Sequence, residues 1–132
     1  MKKNIKEYDK DEMGDPDLKL IIIGDTASGK SKLIERYLFD DYEQRNMSTY
    51  GLTMYRQEMI IDDKKYKVDI WDTAGQEQYN AMHPSYYFGA VVSVLVFDIT
   101  RKVTYENLKK WYMEMRKYCP KIPCMLVANR YL

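Results

Sequence analysis

Apolar and polar residues alternate along the chain in two rhythms, one suited to strands and one to helices. Leu18 to Ile23 is a short, mostly apolar run that ends at Gly24, as a buried strand does. In the next segment, Lys30 to Leu38, residues Leu33, Ile34, Tyr37 and Leu38 fall on one helical face, so strand and helix together predict the first half of a βαβ unit. A polar stretch, Asp40 to Ser48, leads into two strand-like runs, Gly51 to Ile61 and Lys65 to Trp71. They are joined by Asp62-Asp63-Lys64, residues that suit a hairpin, so one antiparallel pair is expected. The stretch Ala90 to Asp98 is nearly continuous in apolar and β-branched residues, the pattern of a strand covered on both faces in a mostly parallel sheet. Thr104 to Tyr118 reads as a helix whose stripe of Leu108, Trp111, Met115 and Tyr118 packs on the sheet. Pro120 and Pro123 bracket its end, and Cys124 to Ala128 reads as a last buried strand. The expected fold is α/β, a mostly parallel sheet flanked by helices, with five visible strands and no internal repeat.

The segment before Leu18 looks different. Met1 to Asp17 alternates Lys with Asp and Glu and offers only Ile5, Tyr8 and Met13 to bury, so residues 1–17 are expected to be a flexible charged arm and 18–132 the folded domain. No apolar region follows the N-terminal lysines, and the run Ala90 to Phe97 is far shorter than the roughly 20 residues that cross a bilayer. The expectation is an intracellular protein with no membrane anchor in this chain. With 21 Lys+Arg against 20 Asp+Glu in 132 residues, there is no basic excess to suggest nucleic acid as a partner. Cys119 and Cys124, with one distant His, form neither a disulfide framework nor a zinc site and are expected to be free thiols.

The chemistry lies in two short motifs. Gly24-Asp25-Thr26-Ala27-Ser28-Gly29-Lys30-Ser31 fits G-x-x-x-x-G-K-[ST] and stands where that loop works, after a buried strand and at the start of a helix. The two glycines let the backbone turn so that successive N–H groups face phosphate oxygens. Lys30 adds positive charge for the β and γ phosphates, and the Ser31 hydroxyl suits Mg²⁺. Lys32, in the same first turn, completes the candidate phosphate-binding set. The second motif, Asp72-Thr73-Ala74-Gly75-Gln76-Glu77, follows the strand that ends at Trp71.

D-T-A-G-Q preceded by Trp resembles the second switch of Ras-superfamily small GTPases, and of Rab proteins in particular. The resemblance covers residues 18 to about 130. It implies GTP and GDP as ligands with Mg²⁺ held by Ser31, Thr49 and Asp72, the Gly75 N–H on the γ-phosphate, and Gln76 orienting the attacking water as the catalytic residue. Thr49, in Ser48-Thr49-Tyr50-Gly51, stands 19 residues after Lys30, the spacing of the first switch. Tyr42 falls where the family puts an aromatic against the guanine edge; an ordinary surface tyrosine is the competing reading. Asn129 and Arg130 occupy the first two places of the guanine-reading N-K-x-D motif. Trp71, Tyr86 and Met54 align with the positions that Rab proteins present to effectors, with core packing as the competing reading for each.

The wording Ser48 to Tyr55, Arg101 to Leu108 and Ile122-Pro123-Cys124 resembles the Rab-like 2 subgroup more than ordinary Rabs. That subgroup is associated with cilia and intraflagellar transport. The resemblance therefore implies effector, exchange-factor and GTPase-activating partners, intraflagellar-transport machinery among them, in a cytoplasmic setting that extends to the cilium and basal body.

The departures are specific. Leu132 stands where the motif has its Asp, and no residues follow for the sixth strand and closing helices, so a truncated small-GTPase domain is expected. Thr26 replaces a Gly found in some relatives, which predicts slow intrinsic hydrolysis, and no arginine is evident as a finger in cis. Gln78 replaces an Arg common in Rabs, and His83 has no catalytic partner in sight. The leading expectation is a guanine-nucleotide switch that hydrolyses GTP. The alternative is a non-catalytic interaction module with weak or base-unselective nucleotide binding.

Overall fold

A computed structural model describes residues 6–7, 9–38, 42–47, 52–72 and 84–129. Strands β1 (Lys6–Glu7), β2 (Leu18–Ile23), β3 (Glu43–Met47), β4 (Leu52–Ile61), β5 (Lys64–Asp72), β6 (Val92–Asp98) and β7 (Cys124–Asn129) form one sheet in the order β1-β3-β4-β5-β2-β6-β7. The helices are α1 (Lys10–Met13), α2 (Lys30–Tyr37), α3 (Lys102–Glu106) and α4 (Leu108–Tyr118). β2 pairs in parallel with β5 and β6, and β6 with β7, while β3–β4 and β4–β5 are antiparallel. The β4–β5 hairpin turns on Asp62 and Asp63, both in the left-handed region at φ 51° and 64°. Two such residues make the tight turn whose twist matches that of the strands.

Successive residues of the central strands serve opposite faces, as the pleat requires. Ile21 and Ile23 join Met54, Tyr86, Leu95, Trp111 and Met115 on one side. Ile22 joins Ile34, Leu38, Tyr55, Ile70 and Val96 on the other. The β2 and β6 runs are mostly apolar, broken by Lys19 and Ser93, because both faces are covered.

Several expectations need correction. The polar stretch Asp40 to Ser48 contains a strand, β3, which has little apolar alternation because backbone pairing with β4 and with β1 holds it there. The described part of the N-terminal segment is packed, in contrast to the expected flexible arm. β1 pairs with β3, Asp9 caps α1 by accepting from the Asp11 N–H at 3.0 Å, and Met13 is buried. Polar contacts supply what the segment lacks in apolar groups: Arg56 donates to the Met13 carbonyl oxygen and, at 3.0 Å, to that of Gly14. Arg56 is itself paired with the buried Asp69 at 2.6 and 2.9 Å.

The single helix expected over Thr104 to Tyr118 is two, divided at Asn107. Tyr37 is 77% exposed and does not share the buried face of Ile34 and Leu38. Among the described residues only β6 pairs with β7, so the apolar run Cys124 to Ala128, expected to be a buried strand, stands at the edge of the sheet with Met125 and Leu126 exposed. Among the described residues, no helix is long and apolar enough to cross a membrane.

Candidate phosphate-binding site

The carboxyl ends of the parallel strands converge on one loop. β2 ends at Ile23 and passes directly into Gly24, while Ile22 is in register with Asp72 and Asp98 with Asn129. In open α/β sheets this end of the strands is where ligands bind. Gly24 runs at φ +150°, and a Cβ there would collide with the Val96 carbonyl oxygen, so the turn out of β2 admits only glycine. Gly29, at φ 88°, begins α2, and the Leu33 N–H donates to its carbonyl at 2.9 Å.

Between the two glycines the loop holds its acceptors in an ordered way. The Lys30 ammonium, on a nearly fully buried side chain, donates to the carbonyls of Gly24 at 3.0 Å and Asp25 at 2.7 Å. It therefore lies across the concave side of the loop, where a phosphate would take over those contacts. Ser31, one residue on in α2, donates from its hydroxyl to an Asp72 carboxylate oxygen at 2.5 Å. The two sequence motifs, 41 residues apart, thus meet in a direct contact. Asp72 is fully buried.

A hydroxyl beside one buried carboxylate fits Mg²⁺, a hard ion that takes oxygen ligands, keeps waters and completes its shell on phosphate oxygens. Among the described residues there is no cluster of three or more His, Cys, Asp or Glu that would suit another metal.

The remaining predicted residues sort as follows. Asn129 reaches the loop, its side-chain amide donating to the Ser28 carbonyl at 3.1 Å. Thr26 and Ala27 are exposed on the rim, with Ala27 at φ 60°, and Ser28 is buried beneath it. Lys32 is exposed in the first turn of α2. The Asp25 carboxylate is not presented to a phosphate: it accepts from the Asn107 amide at 2.7 Å and from the Trp111 indole N–H at 2.8 Å.

Tyr42 packs on Tyr55, ring centroids 6.0 Å apart. It also lines a 360 Å³ charged cavity with Glu12, Arg45 and Arg56 that shares no lining residue with the loop. Met54 and Tyr86 are fully buried, the latter donating from its hydroxyl to the Ile22 and Trp71 carbonyls at 2.7 and 2.6 Å. Core packing, the competing reading, therefore replaces the partner-facing one for both, and Trp71 is half-buried against them. Thr49, Gly75, Gln76, His83 and Arg130 lie outside the described residues.

Three residues that sequence reasoning left out of the site touch the loop. Arg101 donates through one guanidinium nitrogen to the carbonyls of Thr26 at 3.2 Å and Ala27 at 3.3 Å. Asn107 and Trp111 hold Asp25 as described. The β6–α3 turn that carries Arg101 is fixed by Asp98, whose carboxylate accepts from the Thr100 hydroxyl at 2.6 Å and N–H at 2.8 Å. Those bonds hold the Asp98 carboxyl below the usual carboxylate range. Trp111 was legible only as a core residue, since a stripe at helical spacing does not show which ring carries a polar bond.

The Ras family model matches residues 19–131. Rab-like protein 2A of Homo sapiens is 50% identical over 124 residues, which is 94% of this chain and 53% of that protein. Rab-like protein 2B of Homo sapiens is 48% identical over 124 residues, with the same coverage of 94% and 53%. The Ras-related protein YPT3 of Nicotiana plumbaginifolia is 43% identical over 124 residues, covering 93% of this chain and 57% of that protein. The chain spans about half the length of the curated relatives it matches.

Proposed function

The chain belongs to the Ras family, and on that premise we propose that it is a guanine-nucleotide switch that binds GTP and GDP with Mg²⁺ and hydrolyses GTP. The observation that carries the reading is the 2.5 Å contact between the Ser31 hydroxyl and the Asp72 carboxylate at the mouth of the phosphate loop. It joins the loop to the second motif, and an ATP-using phosphotransferase with a P-loop alone gives no reason for Asp72-Thr73-Ala74-Gly75-Gln76. Bound Mg²⁺ would neutralise charge developing on the β and γ phosphates.

The chain's own residues supply the rest. The loop from Gly24 to Lys30 binds the phosphates, and Ser31 and Asp72 hold the metal side. Thr49 and the Gly75 N–H sense the γ-phosphate, so that both switch segments relax once it is lost. Gln76 orients the water, and Thr26, in place of a glycine found in some relatives, slows the intrinsic reaction. Gln76→Leu is expected to abolish single-turnover GTP hydrolysis while GTP still binds; hydrolysis at the parental rate would remove Gln76 from the mechanism.

Effectors, an exchange factor and a GTPase-activating protein are the partners of such a switch. From the resemblance of Ser48 to Tyr55, Arg101 to Leu108 and Ile122-Pro123-Cys124 to the Rab-like 2 subgroup we further propose a place in the cytoplasm and at the cilium and basal body, serving intraflagellar transport. A tagged chain that is excluded from cilia and co-purifies with no transport component would contradict that placement.

A further inference from the structure

The loop is held from outside by elements that do not themselves bind phosphate. Four successive residues, Asp25 to Ser28, each have an acceptor engaged from the β6–β7 side of the sheet. Asn107 and Trp111 take the Asp25 carboxylate, Arg101 the Thr26 and Ala27 carbonyls, and Asn129 the Ser28 carbonyl. Asp25 is the telling member. A carboxylate at the second position of a loop that must accept a polyanion is unfavourable if it faces inward, because like charges at short range disfavour binding. Two donors from the α4 end, at 2.7 and 2.8 Å, turn it away. Charge-assisted bonds of this kind are about twice as strong as neutral ones.

We propose that the α3–α4 side is a brace for the phosphate loop, in which Arg101, Asn107 and Trp111 are positioning residues. They hold the carbonyls of Thr26 and Ala27 and the Asp25 carboxylate outward, which leaves the inward side of the loop to phosphate. The proposal rests on the reading of Gly24 to Ser31 as a nucleotide site. It also makes α4 responsive to occupancy, since any change in the loop at Asp25 is felt by the Trp111 indole N–H.

The test uses the whole chain and labelled GDP in Mg²⁺ buffer. Trp111→Phe keeps an aromatic ring but loses the donor, and Asn107→Ala removes the other. Each is expected to release GDP about tenfold faster or more, the scale of a lost bond to a charged group. The double variant is expected to gain less than the product of the two, since both act on one carboxylate. Met113→Ala, on the exposed face of the same helix, keeps the parental rate. In the parent, the Trp111 indole N–H resonance, assigned by its loss in Trp111→Phe, is expected to move on GDP binding and again on Asp25→Asn, effects that general destabilisation of α4 does not produce.

Parental release rates in both single variants, or an indole resonance indifferent to Asp25→Asn, overturn the brace while leaving the nucleotide site intact. A parent chain that binds no GDP overturns the nucleotide site and the brace with it.

Discussion

At Gly24 the chain leaves β2 so close to β6 that a single methyl group has no room. A Cβ would meet the Val96 carbonyl, which belongs to a paired strand and cannot move aside. Gly24→Ala is expected to lower stability by about 2 kcal/mol or more in urea unfolding, the usual scale of overpacking against fixed backbone, and to abolish nucleotide binding. Lys19 offers a second test at this scale. Its ammonium donates to the Ser85 and Phe88 carbonyls at 3.1 and 2.8 Å and lies 3.5 Å from the centroid of the Trp71 ring. Burial pushes its pKa down from 10.5 to about 8, against the opposing pull of Cys119 and Asp69. Below pH 8 the residue is charged in both states, and the cost of burying that charge is carried in full. Between about 8 and 10.5 the unfolded chain holds a proton that the fold has released, so the contribution of Lys19 to stability rises with pH. The stability of the parent relative to Lys19→Met is therefore expected to increase across that interval; a pH-independent difference would show that Lys19 titrates normally.

Among the elements, the N-terminal segment shows what composition cannot reveal. Its few apolar residues predicted a free arm, yet α1 is docked by polar means, with the Arg56 guanidinium binding Asp69 on one side and the Met13 and Gly14 carbonyls on the other. Arg56→Met would leave the Asp69 carboxylate buried without its partner, a loss of about 3 kcal/mol or more. It is also expected to expose residues 9–17 to hydrogen exchange ahead of the rest of the fold; unchanged protection there would mean that the segment is held by something else. The elements with strong periodicity were legible from sequence. β2, α2, β6 and the β4–β5 hairpin follow from apolar runs, helical spacing and Asp62-Asp63. β3 was not, because Glu43 to Met47 is a strand by virtue of its neighbours. The division of the last helix at Asn107 was not legible either, although this is the residue whose amide reaches Asp25.

In the whole molecule, the sheet brings the ends of β2, β5, β6 and β7 to one edge, and residues far apart in sequence meet there. The phosphate loop and Asp72 were readable as motifs, and their contact through Ser31 agrees with that reading. Met54 and Tyr86 show the limit of alignment to a family pattern: a matching position does not say whether a side chain faces a partner or the core, and here the core took both. The contacts of Arg101, Asn107 and Trp111 span 74 to 86 positions of sequence, and no local pattern encodes them. The proposed anion site with a metal side unites these observations, and its most direct test is an equilibrium titration of the purified, nucleotide-stripped chain with fluorescent GDP, with and without Mg²⁺. Saturation is expected at one GDP per chain, weakening when Mg²⁺ is chelated, with no binding by Lys30→Asn. No saturable binding by the parent chain, or parental affinity in Lys30→Asn, would contradict it.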